Sequence, residues 1–162
     1  MHLCAALKKG DLFIMNQPDA VNKLIVETCI LALDSCIERC QDYIDACQTF
    51  ADKCSTSNLQ ECAKDVGTCK NKTQASLKAC QEAMKRCEDY LSESTIPAVI
   101  EKVDQALQHL KSFAATCRET LAACDDTKEK CNAVTLQGLE KATQCSHTCS
   151  RAIDAITKHN NT

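Results

Sequence analysis

The sequence predicts an all-α protein: an antiparallel up-down-up-down four-helix bundle with a cysteine-lined core. Three observations carry this. Between Ala20 and Cys54, residues Val26, Cys29, Leu33, Cys36, Cys40, Tyr43, Cys47, Phe50 and Cys54 alternate at spacings of three and four, the seam of a packed helix. The same spacing recurs in three further long segments. Only 3 glycines and 2 prolines occur in 162 residues, too few for a sheet protein or a linker-rich one.

The chain divides into a lead-in at 1–17, a bundle at 18–157 and a polar tail at 158–162, expected to fray. Pro18 and Asp19 suit the opening of the first long helix. A second stripe, Ile30, Ile37, Ile44 and Ala51, widens its buried face, while Glu27, Asp34, Glu38, Asp42, Asp45 and Asp52 lie off the seam. The polar cluster Ser55-Thr56-Ser57-Asn58 is a short loop, so the second helix returns antiparallel, with Ser57 or Asn58 as cap. Its expected inner face is Leu59, Cys62, Val66, Cys69, Thr73, Leu77, Cys80, Met84, Cys87 and Leu91. Ser94 or Thr95 caps the third helix, with Pro97 in its first turn. That helix reads Ile100, Val103, Leu107, Leu110, Ala114, Cys117, Leu121, Cys124, Lys128 and Cys131. A break at Asn132–Thr135 leads to the fourth, with Leu136, Leu139, Ala142, Cys145, Cys149, Ala152, Ile153 and Ile156 inside.

Composition excludes several classes. A net charge of −3, with no basic cluster interleaved with aromatics, gives no footing for nucleic acid. No run approaches 18 apolar residues, so no membrane span is expected. The first residues, broken by Lys8 and Lys9, do not read as a signal peptide. Read as a whole translated chain, the protein is expected in the cytoplasm, where cysteines stay thiols or bind metal. No phosphate loop, His-Glu-x-x-His motif or nucleophile–base pair is present, so no enzyme is expected. The sequons at Asn71 and Asn160 read as chance matches.

The chain holds 15 cysteines, and 14 fall on expected inner faces: Cys29, Cys36, Cys40, Cys47, Cys54, Cys62, Cys69, Cys80, Cys87, Cys117, Cys124, Cys131, Cys145 and Cys149. The commonest spacing is seven, about 10.5 Å of helix rise. Neither a disulfide nor one ion held by two thiolates spans that distance along a helix. Ligand sets must therefore be completed between helices. Cys36/Cys40 and Cys145/Cys149, four apart, can each grip one ion. The topology is expected to crowd thiols at the end bearing the first and third loops, where Cys145 would join Cys40, Cys47, Cys54, Cys62, Cys69, Cys117, Cys124 and Cys131.

The compact Cys-x2-Cys pairs of zinc sites and the loop cysteines of iron–sulfur sites are absent. Soft, low-coordinate Cu(I) fits better: two thiolates suffice, and bridging lets a column of sulfurs carry a column of ions. One Cu(I) per thiolate is neutral, whereas zinc with four thiolates carries −2 into a low-dielectric core.

A chain with cysteines projected into a four-helix core, including Cys-x3-Cys pairs, resembles the bacterial copper storage proteins over residues 18–157. Cys36/Cys40 and Cys145/Cys149 match the family's paired spacing; the other thiols carry over as core-facing positions. The resemblance implies storage of multiple Cu(I) ions along the core and a homo-oligomer, with metal exchanged through a copper donor or acceptor protein. This chain departs from the family in the apolar residues that interrupt its thiol column and in lacking a His/Met-rich mouth.

Other readings stand beside this one. The bundle could bind another soft metal or an iron–sulfur or zinc cluster, or be a disulfide-stapled scaffold or interaction protein with no metal. Cysteine could also serve as a small buried hydrophobe. Cys4 reads as peripheral. Met1, His2 and Met15 could pass Cu(I) inwards, although a plain tail is the simpler reading. Met84 reads as core, and His109, His147 and His159 as surface.

Overall fold

A computed structural model of the protein describes residues 20–54 and 59–160. The expectations for Met1, His2, Cys4, Met15, the Pro18-Asp19 opening, the Ser55–Asn58 loop with its cap, the side chain of Leu59, and Asn161 and Thr162 lie outside them.

The described residues form four helices: α1 Lys23–Cys54, α2 Leu59–Leu91, α3 Pro97–Cys124 and α4 Lys128–Asn160. Each packs on its chain neighbours, and α4 closes the ring against α1. No described helix is long and apolar enough to cross a membrane.

The helix starts follow local chemistry. Asn22 caps α1, its Oδ1 accepting from the Leu24 amide at 2.8 Å. At α3 the cap residue is Ile96, not Ser94 or Thr95. It offers no side-chain acceptor, and Pro97 at the first helical position supplies the helical φ in advance. Thr127 caps α4, its Oγ1 accepting from the Lys130 amide at 3.1 Å.

That last cap corrects the expected end of α3. The chain turns at Asp125-Asp126-Thr127, not at Asn132–Thr135, and Cys131 belongs to α4. The apolar spacing misleads because Cys117, Leu121, Cys124, Lys128 and Cys131 keep alternating across a turn. At its other end α4 continues through Asn160 instead of fraying from Lys158. Asn160 Nδ2 donates to Tyr90 Oη at 3.0 Å and to the Ile156 carbonyl at 2.9 Å.

On α1 all nine seam positions are buried. On the other helices the centre of the seam is taken by smaller or hydroxylated residues beside the expected ones. Ser76, Ala83, Ala106, Thr120, Thr135 and Gly138 are buried, while Leu77, Met84, Leu121 and Leu139 flank them half-buried. Leu136, expected inside, is 54% exposed. The buried threonines donate within their own helices, Thr73 to the Cys69 carbonyl, Thr120 to Thr116 and Thr148 to Cys145, whereas Ser76 of α2 donates across to the Arg39 carbonyl of α1 at 3.0 Å.

One aromatic side chain crosses the core. Tyr43 on α1 meets Phe113 of α3 edge-on, with centroids 5.0 Å apart, and its hydroxyl hydrogen-bonds Thr120 Oγ1 at 2.9 Å. It fits because Gly138 of α4 has no Cβ; one built there would overlap the phenol oxygen. Gly138→Ala should therefore destabilise the bundle by about 1–3 kcal/mol through overpacking, despite alanine's better helix propensity. Tyr43→Phe alone should cost about 1 kcal/mol. In the double variant the missing hydroxyl should recover part of the Gly138→Ala loss. Denaturant unfolding of the four proteins measures this coupling, and strict additivity would contradict the contact.

Candidate metal centre

Five of the nine α1 seam positions are cysteine, so sulfurs recur over about 37 Å of that helix from Cys29 to Cys54. The other three helices supply their partners. Every cysteine in the described residues is buried except Cys124, which is half-buried.

At the end formed by the start of α1 and the end of α2, Cys29 and Cys87 share a hydrogen bond. That contact first, and burial second, push the Cys87 thiol up. The largest group follows. Cys36 Sγ lies 3.6 Å from Cys80 Sγ, and the sulfurs of Cys36, Cys80 and Cys145 all fall within 4.8 Å of one another. Cys40 and Cys149 join them through hydrogen bonds to Cys36 and Cys145. The two Cys-x3-Cys pairs, one on α1 and one on α4, thus face each other with Cys80 between them.

Hydrogen bonds from Cys145, then from Cys149, Cys40 and Cys80, hold the Cys36 thiol well below its usual range against the opposing effect of burial. Cys145 is pushed far up, by Cys149 first, then by Cys36, Cys40 and Cys80, and by burial. Within the group, loss of a proton is thus favoured at Cys36 over its neighbours. Cys117 comes next, raised chiefly by burial and then by Cys36. Beyond it Cys47 and Cys69 stand 3.5 Å apart; the contact lowers Cys69 and raises Cys47. Tyr43, one turn from both Cys40 and Cys47, is held neutral by burial.

At the end bearing the first and third connections, the sulfurs of Cys69, Cys124 and Cys131 lie within 4.8 Å of one another. Cys124 and Cys131 are joined as a disulfide, with Cα atoms 4.5 Å apart. Seven residues exceed disulfide reach along a helix, but here the turn folds the chain back between them. Cys54 and Cys62 are joined likewise between α1 and α2, with Cα atoms 5.4 Å apart. Ten cysteines among the described residues are free thiols.

The 14 expected sites thus fall along one run of sulfur, four of them paired in this structure. The loop end gathers Cys47, Cys54, Cys62, Cys69, Cys124 and Cys131 as expected. Cys40 and Cys145, however, lie in the middle, and with four loop-end cysteines paired the free thiols are densest there. Because α4 starts at Lys128, Cys145 and Cys149 are carried past the loop end to the level of Cys36, Cys40 and Cys80. Met84 is half-buried and His147 exposed. Sequence reasoning missed the α4 cap, for which Asp125-Asp126-Thr127 is the legible signal.

Chemically, the arrangement offers clustered soft ligands in a water-poor interior, and the Cys36–Cys80–Cys145 group can hold a metal ion. Compared with protein-family models, curated proteins and solved structures, the chain matches none of them.

Thiol protonation should mark the metal-free protein's stability. Cys40, Cys47, Cys80, Cys87, Cys117, Cys145 and Cys149 are raised in the fold; Cys36 and Cys69 are lowered. A raised thiol contributes stability that is present below the unfolded thiol range and lost as pH rises. A lowered thiol acts oppositely, its contribution being present above that range and lost as pH falls. Above about pH 8.5 the unfolded chain therefore binds fewer protons than the native one. Each raised thiol then costs up to about 1.4 kcal/mol per pH unit. Anaerobic denaturation from neutral to alkaline pH should show the midpoint falling above that point; a flat profile would contradict protonated burial.

Proposed function

We propose that the protein stores Cu(I), holding several ions along its core through thiolate ligands. The observation that carries this reading is the group of Cys36, Cys40, Cys80, Cys145 and Cys149, continued by Cys117, Cys47 and Cys69. Five thiolates together in a core would be prohibitively charged without metal. A monovalent ion replacing each S–H proton leaves the charge as it was. A divalent ion bound by four thiolates does not.

The donor set supports Cu(I) in two further ways. Sulfurs 3.5–3.6 Å apart, in Cys36–Cys80 and Cys47–Cys69, lie close enough to share an ion after a small rotamer adjustment. Ligand sets that abut along one axis also suit an ion that accepts two or three bridging thiolates. The remaining elements of the reading are the cytoplasmic setting, a homo-oligomer and exchange with a copper donor or acceptor protein. Leu24 and Leu31, seven residues apart and 66% and 67% exposed, offer a second copy an apolar strip on α1.

The test is an anaerobic Cu(I) titration of fully reduced protein against a strong chelator, with elemental analysis. Uptake should reach about seven ions if each takes two unshared thiolates, and about fourteen with full bridging. Uptake of none or one would sink storage. Tight uptake of another soft metal in preference to Cu(I) would favour a different load. Replacing both Cys36 and Cys145 with alanine should lower capacity by about two ions or more, since these sulfurs are shared, while helical circular dichroism persists. Unchanged capacity would remove the central group from the site.

A further inference from the structure

We propose that Cys69, Cys124 and Cys131 form the gateway through which Cu(I) reaches the column, and that the Cys124–Cys131 disulfide closes it. This rests on the storage reading above and adds to it a place of admission and a redox control.

Three independent observations converge on this end. The three sulfurs lie within 4.8 Å of one another, so reduction turns a closed bond into a three-thiol set. Cys124 is the one described cysteine that is not fully buried, and with Cys131 it fronts a surface cleft of about 440 Å³ bordered by Val66, Asp126 and Glu129. Inwards, Cys69 stands 3.5 Å from Cys47, so an ion bound at the gateway has its next ligand within reach.

Among the described residues the opposite end offers no such route. Past Cys29 and Cys87 it is filled by buried Val26, Tyr90, Val99 and Ile156, and the Asn160–Tyr90 hydrogen bond ties the end of α4 to that of α2. Near the gateway, Lys70 of α2 pairs with Asp125 in the α3–α4 turn, holding Cys124 beside Cys69.

The switching chemistry is thiol–disulfide exchange. A small-molecule thiol from solution attacks Cys124 Sγ, the more exposed sulfur, as its thiolate. It forms a mixed disulfide and releases Cys131 as thiolate. A second thiol attacks the mixed disulfide at its own kind and frees Cys124. The two cysteines gain two electrons and two protons, and two thiol molecules leave as one disulfide. Cu(I) then binds the freed sulfurs, and the S–H protons it displaces pass to solvent through the cleft. Re-oxidation by a small-molecule disulfide reverses the exchange and withdraws two of the three ligands.

The experiment follows both rate and final extent of Cu(I) uptake, with Cu(I) supplied as its complex with a colorimetric chelator. Reduced wild type is compared with protein oxidised by glutathione disulfide, the Cys124–Cys131 bond being verified by peptide mass mapping. With the gateway closed, metal must wait for local opening of packed helices, so uptake should slow by about ten-fold or more and recover on reduction. The Cys54→Ser/Cys62→Ser variant should keep this redox response. The Cys124→Ser/Cys131→Ser variant should load slowly whether or not oxidant was added, yet approach a final capacity short only of the ions held there.

Oxidised wild type loading as fast as reduced would overturn the gateway without recourse to any variant. A folded Cys124→Ser/Cys131→Ser protein loading at the wild-type rate would do the same. Final capacity separates the two readings: full capacity with no change in rate sinks the gateway alone, whereas reduced wild type binding no more than one ion sinks storage and the gateway with it.

Discussion

The rest of this structure depends on how little charge a helical core can hold. A thiol is small and weakly polar, so it can replace alanine or valine on a buried seam at modest cost while it keeps its proton. Once ionised it cannot stay there alone. Placing five such groups within contact, at Cys36, Cys40, Cys80, Cys145 and Cys149, fixes the chemistry open to the interior. Without metal the group is compatible with the core only as hydrogen-bonded thiols; on the proposed storage reading, monovalent cations would cancel the charge one for one.

The packing serves the same constraint. The helices run 32, 33, 28 and 33 residues without an interior proline, so the seam stays in phase along the bundle. Small residues at the seam centre bring the backbones close, and the larger aliphatics flank them. Hydroxyls that would otherwise compete with sulfur for partners are turned back on their own carbonyls. Ser76, donating to the Arg39 carbonyl of α1, is one exception, and Tyr43 is the other. It reaches across to Thr120 and fills the space left by Gly138, giving the core a rigid crossbar between two thiol groups.

Much of this was legible in the sequence, and the failures share one cause. The α1 seam is readable because its inward residues are large or are cysteine. Leu77, Met84, Leu121 and Leu136 were expected to point inwards because hydropathy favours them over Ser76, Ala83, Thr120 and Thr135 beside them. Yet close helix approach and hydroxyls that all find a carbonyl favour the smaller neighbours. The break before α4 was hidden because apolar spacing continued through it, and only the capping chemistry of Thr127 marked it. That shift of one turn and more carries Cys145 and Cys149 to the middle and folds Cys131 back onto Cys124. The dense centre and the paired loop end both follow from a boundary that periodicity alone could not see.

The apolar plug around Tyr90, Val99 and Ile156 has a consequence for traffic. On the proposed storage reading, a thiol column plugged at this end among the described residues would behave as a stack, not as a pool. Ions seated near Cys29 and Cys87 would be the last to be reached and the last to be given up, while those nearest Cys69 would turn over first. Such a protein would keep a quickly exchanged fraction at its mouth and a deep reserve behind it, within a single chain and with one kind of ligand.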